Sequence, residues 1–163
     1  MTVTDPILHQ AGVIAYRILD GKVQVLLMTS RDSGRWIIPK GNIDAGTKPS
    51  KAAEKEAYEE AGVKGVIIGA APLGIYTYLK KTAAGEARAA TVDVYLFRVK
   101  QRFKKWPEKH ERTLRWLSSK KAIALVEPGL VPLLVRVMEF ENRLVKPRAN
   151  HLFDRRPASA RGV

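Results

Sequence analysis

The sequence predicts an α/β chain of the α+β kind: a mixed β-sheet with helices packed on it. Three observations lead there. Strand-like and helix-like runs are interspersed without the strict β-α alternation that a doubly wound parallel sheet requires. Two of the β-rich runs flank Asp20-Gly21, a tight-turn pair, so at least part of the sheet is antiparallel. Hydrophobic residues make up 45% of 163 residues, enough for one domain with its own core.

The elements follow in order. "VIAYRIL" and "KVQVLLMT" are the two arms of the hairpin. "RWIIP" is a short strand stopped by Pro39. Lys40 to Lys48 reads as a loop. Pro49 suits the first turn of a helix, Thr47 or Ser50 can cap it, and Gly62 lies just past its end at Ala61. "GVIIG", "LGIYTYLKK" and "TVDVYLFRVK" are strands rich in β-branched and aromatic residues, with "TAAGEARAA" a loop before the last. "QRFKKWPEKHE" is a charged, irregular connection and "RTLRWLS" a short strand. Ser118 or Ser119 caps a helix running through Val126. Pro128 to Val145 is a final helix, with Leu130, Leu134, Val137 and Leu144 at helical spacing. The domain is placed at residues 1–147. Residues 148–163, "NHLFDRRPASARGV" and the two residues before it, form a basic tail expected to be loose.

Composition narrows the partners. The net charge is 29 − 16 = +13, which favours an anionic partner. The basic residues are spread over loops and strands with no long Lys/Arg block, so a polyanionic small molecule is preferred over nucleic acid. No apolar stretch reaches the roughly 18 residues of a membrane span. There are no cysteines, which removes disulfides, thiolate zinc sites and cysteine nucleophiles. "MTVTDPILHQ" has no signal-peptide pattern, and a cytoplasmic location is expected. Oligomeric state is open.

Against this basic background stands an acidic segment, "EKEAYEE". With about 100° per residue, Glu56, Glu59 and Glu60 fall within one helical stripe, flanked by Ala53, Ala57 and Ala61, which are small enough to pack closely on a sheet. Clustered carboxylates repel one another. A divalent cation offsets that repulsion, and Mg²⁺ prefers hard oxygen ligands shared with phosphates. A solvated acidic face paired with Lys51 or Lys55 is the simpler alternative for this heptapeptide alone.

The flanks decide between them. Counting from Gly41, the chain resembles the Nudix box: Gly, five residues, Glu, seven residues, then Arg-Glu-apolar-any-Glu-Glu-any-Gly-apolar. Gly41, Glu56, Glu59, Glu60, Gly62 and Val63 match, and Ala57 is a small version of the apolar position. Thr47 stands where the family has Glu, and Lys55 where it has Arg. The lost Glu–Arg brace is expected to be replaced by a Thr47 cap, with Lys55 reaching a helix glutamate. "TSRDSGRWIIPKG" and "WPEKHERTLRWLSSKKAI" are similar to segments of diphosphoinositol polyphosphate phosphohydrolases and diadenosine polyphosphate hydrolases, over roughly residues 10 to 137.

The resemblance implies the Nudix fold, an α-β-α sandwich, and Mg²⁺-dependent cleavage of a phosphoanhydride (Mn²⁺ being an alternative ion). It implies that Glu56, Glu59, Glu60 and the Gly41 carbonyl hold the metal. Glu59 is the nominated base, with Glu108 and Glu111 as further candidates. Ser30, Arg31, Lys40 and Arg112 would bind substrate phosphates. The implied substrate is a diadenosine polyphosphate or a diphosphoinositol polyphosphate. A nucleoside triphosphate or RNA 5′-end pyrophosphohydrolase is the alternative enzyme, and a non-catalytic sensor of a phosphorylated ligand or RNA the alternative class. His9, His110 and His151 lack metal-ligand spacing and are read as bystanders.

Overall fold

The structure is a computed structural model that describes residues 6–145. The basic tail and the exact end of the domain lie outside the described residues.

Strands β1 (Leu8–Leu19) and β2 (Lys22–Thr29) form the hairpin, and β1 pairs in parallel with the long β7 (Ala87–Arg102). That one parallel pair, among antiparallel neighbours, makes the sheet mixed, as the irregular order of elements implies. The strand order is β3 (Trp36–Ile37), β2, β1, β7, β5 (Val63–Ile68). Strand β4 (Lys40–Asn42) attaches to β1, β6 (Gly74–Lys81) to β7, and β8 (Leu114–Leu117) to β2.

Both faces of the sheet are covered. On one, helix α1 (Pro49–Ala61) lays Ala52, Ala53, Ala57 and Ala61 against Ala11, Val13, Ala15 and Tyr95. Small residues on both sides let helix and sheet approach closely. On the other, α2 (Ser119–Leu125) and α3 (Val131–Leu144) cover Ile14, Val25, Leu27, Val94 and Leu96 with Ala122, Leu134 and Val137. The central strand β1 is buried on both sides from Gln10 to Tyr16. The result is an α-β-α sandwich.

Three local expectations change. The first residues of the presumed loop after Pro39 form β4, because Gln10, Ala11 and Gly12 of β1 present an open edge to Asn42, Gly41 and Lys40. The end of "TAAGEARAA" joins β7, since Ala87 to Ala90 find partners in Lys81 to Tyr78 of β6. The last helix is preceded by a separate 3₁₀ turn, Pro128–Leu130. Ser118 caps α2 as expected, its side chain accepting from the Lys121 N–H.

Candidate active site

The three glutamates share one helix but meet three different surroundings. Pro49 starts α1, and Gly62 ends it in the left-handed conformation at φ 64°, its N–H returning to the Ala57 and Tyr58 carbonyls. The expected cap does not form: Lys48 is the cap residue and has no side-chain cap bond.

Glu60 is buried. Its carboxylate accepts the Lys40 N–H at 3.1 Å and pairs with the Arg112 guanidinium at 3.3 Å. Burial raises its pKa to about 7, more than Arg112 and the Lys40 N–H lower it. Arg112 is equally enclosed, with 6% of its side chain exposed. It also donates to Glu108 at 3.1 Å and to the Thr29 carbonyl at 3.1 Å. Thus Arg112, expected on a substrate phosphate, and Glu60, expected on a metal, are paired with each other. The cause is topological. Arg112 sits between the charged loop and β8, where its head points inward to α1.

Glu56 is the opposite case. It makes no hydrogen bond or ion pair with the described residues. Its carboxylate lies over Gly41 so closely that a Cβ on Gly41 would come within 2.3 Å of it. Its pKa is raised by burial first, then by the charges of Glu59 and Glu108. An unpaired carboxylate held against a backbone, with acids around it, suits a divalent cation.

Glu59 stands at the rim, 35% exposed, with Lys55 at 3.9 Å. Lys55 also reaches Asp44 of the preceding loop at 3.5 Å. So the lysine does meet a helix glutamate, but the loop's contribution comes from Asp44, three residues before Thr47, and Thr47 donates its N–H to the Asp44 carbonyl. Asp44 lies outside the family pattern, which has its acid at position 47, and Lys55 in place of Arg is the sequence signal for a different acidic partner.

The charged loop comes up beside the helix. The Glu108 N–H donates to the Glu59 carbonyl, and the Trp106 indole to the Glu60 carbonyl. This brings Glu108 within electrostatic reach of Glu56. Glu111 stays outside, 46% exposed, paired with Arg31 at 3.4 Å. Arg31 is 3.7 Å from Glu108 and more than half exposed. Ser30 is turned into its own loop, its hydroxyl accepting the Ser33 and Arg35 N–H groups. Arg35 bonds the Ser33 hydroxyl, a structural contact.

The Lys40 side chain lies over the Tyr78 ring, its ammonium 4.7 Å from the ring centre. Burial lowers its pKa, against the opposing pull of Glu60 and Glu127. The Tyr78 hydroxyl donates to Gln10, which in turn donates to Asn42, so the floor beneath Lys40 is fixed. Tyr76 stacks on Tyr78 at 5.8 Å and is buried. Of the histidines, His9 lies 3.2 Å from Asp93, away from this cluster. Among the described residues, no three acidic or histidine side chains are drawn together into a ready-made metal cage. What the residues offer a metal is an open arrangement, Glu56 over the Gly41 backbone with Glu59 and Glu108 in electrostatic reach.

The NUDIX domain model matches residues 8–137. Nudix hydrolase 13, mitochondrial, of Arabidopsis thaliana is 33% identical over 71% of this chain, which spans 65% of that relative's length. Diphosphoinositol polyphosphate phosphohydrolase 2 of Rattus norvegicus is 38% identical over a shorter stretch, 34% of this chain and 31% of its own. The crystal structure of C. elegans Ap4A hydrolase superposes with a TM-score of 0.62, at 24% identity, over 83% of this chain and 98% of that one, a likeness of fold. With the box on α1, the sandwich around it and the model covering most of its length, the chain belongs to the NUDIX domain family.

Proposed function

We propose that the chain is a divalent-cation-dependent pyrophosphohydrolase acting on a highly phosphorylated small molecule. The observation that carries this reading is Glu56: a sheltered carboxylate without a partner, held over Gly41 and raised in pKa by burial and by Glu59 and Glu108. Glu56, Glu59, the Gly41 carbonyl and Glu108 would hold Mg²⁺ or Mn²⁺, which would supply Lewis acidity and a more acidic water. Glu60 works from behind, fixing Lys40 and Arg112. Glu59 or Glu108 accepts the proton of the attacking water, since both retain exposed carboxylate surface. Lys40 and Arg31 approach from two sides and bind the phosphate chain.

Diadenosine polyphosphates and diphosphoinositol polyphosphates are the substrate classes named in the worm and rat relatives, and the charge of +13 suits either. The test is product release from both classes, with nucleoside triphosphates and 5′-triphosphorylated RNA alongside, in Mg²⁺ and in Mn²⁺. Turnover should be abolished by Glu59→Gln with the fold retained. If every compound stays intact with either ion, the hydrolase reading fails and a binding role replaces it.

A further inference from the structure

A second concave site lies at the C-terminal end of α1. It is a cavity of about 400 Å³, within the range of small-molecule sites. Its walls are aromatic: Phe103, Trp106 and Trp116, with Leu26 and Val63 beneath. Its polar side chains are all cationic, Arg102 and Lys104, and no acid lines it. Arg17 lies at the same edge, its guanidinium 4.4 Å from the centre of the Trp116 ring.

Two backbone devices build this place. Between Lys64 and Gly65 the pairing of β5 with β7 slips: Gly65 faces Val99, but Lys64 faces Gln101. The extra residue, Lys100, inverts the alternation of β7 beyond it. Arg102 is thereby set opposite Val63, on the α1 side, where a regular strand would have placed residue 101. The second device is Gly62. A Cβ there would lie 2.4 Å from the Trp106 ring, so only glycine lets the indole lie flat on the helix end. The Trp106 N–H is fixed on the Glu60 carbonyl.

The charges in this corner are unbalanced. Neither Arg102 nor Lys104 has a carboxylate partner within the described residues, and the Arg102 charge works against that of Arg17. Like charges gathered beside indole faces, with no acid to neutralise them, favour a ligand that is both planar and anionic.

We infer that the cavity bounded by Trp106, Trp116 and Phe103 binds a nucleoside phosphate, its base against the aromatic wall and its phosphate on Arg102 and Lys104. The site is distinct from the carboxylates but shares a wall with them: the loop that carries Phe103, Lys104 and Trp106 into the cavity carries Glu108 to the helix. The inference rests on the cavity's own chemistry and stands apart from the hydrolase reading.

Adenosine 5′-monophosphate is the probe, titrated in EDTA by calorimetry and by indole fluorescence. It should bind and quench, whereas adenosine and inorganic pyrophosphate, each lacking one half of the chemistry, should bind about tenfold more weakly or worse. The double variant Arg102→Gln, Lys104→Gln, exposed and safe for folding, should lose about tenfold in affinity while keeping its melting temperature. Unchanged affinity in that variant overturns the site, as does pyrophosphate binding as tightly as the nucleotide. A 5′-phosphorylated trinucleotide binding no tighter than the monophosphate supports a free nucleotide as ligand. Binding about a hundredfold tighter with a steep salt slope instead assigns the cavity to an RNA end and overturns the mononucleotide. Glu59→Gln should abolish hydrolysis and leave this binding intact, so the two readings fail separately.

Discussion

Gly41→Ala places one methyl group at the point where helix and strand come closest. Gly41 has an ordinary negative φ, so the backbone of β4 accepts alanine. The new Cβ would lie 2.3 Å from the Glu56 Cδ and Oε1 and 2.7 Å from its Oε2, against an ordinary contact of at least 3.4 Å. The carboxylate must therefore retreat by 3.4 − 2.3, about 1 Å. It can do so, because it is the far end of a flexible side chain with no bond to break. Stability should then change by less than about 1 kcal/mol, helped by the lower chain entropy of alanine. Catalysis should suffer far more, since a misplacement of about 1 Å in a positioned group can cost on the order of 100-fold. The assay pairs a thermal melt with kcat/KM measured across a Mg²⁺ titration. Activity within about threefold of the parent, with the same Mg²⁺ half-saturation, would refute the assignment of Glu56 to the metal.

Other outcomes follow from the same contacts. Arg112→Ala leaves Glu60 and Glu108 facing each other in a sheltered place and should cost about 3–5 kcal/mol in denaturant unfolding, with Arg112→Lys recovering only part because it cannot fork between two carboxylates. Gly62→Ala combines a left-handed φ of 64° with the collision against Trp106, and should lower stability by about 1–3 kcal/mol and shift indole emission. In EDTA, Glu60 introduces a pH dependence of definite sign. Its pKa is higher folded, about 7, than the ordinary 4.5, so its contribution is complete below pH 4.5 and is lost as pH rises through 7. The metal-free protein should melt progressively lower across that window, and Glu60→Gln should flatten the slope.

Much of the site was legible early because it is local. The spacing from Gly41 to Val63 lies within one loop and one helix, and 3.6 residues per turn is enough to align Glu56, Glu59 and Glu60. The alternation around Asp20-Gly21 is likewise a short-range signal. What the local pattern does not carry comes from distant segments. Arg112 reads as a phosphate-binding cation until β8 pairs with β2 and turns its guanidinium onto a glutamate 52 residues away. Asp44 acquires its role only because Lys55 comes round the first turns of α1 to meet it.

By itself the sequence determined a mixed sheet with helices packed on it, the acidic ridge and the excess of positive charge, all properties of composition and short periods. Only the tertiary structure decided which carboxylate is free. Glu56 and Glu60 differ by one helical turn and are indistinguishable by type. One faces a glycine backbone and the other an arginine and an amide N–H. The physical reason is that charge, shelter and partner at a side chain are set by what the remaining chain brings within a few ångströms, and no pattern along the helix encodes that.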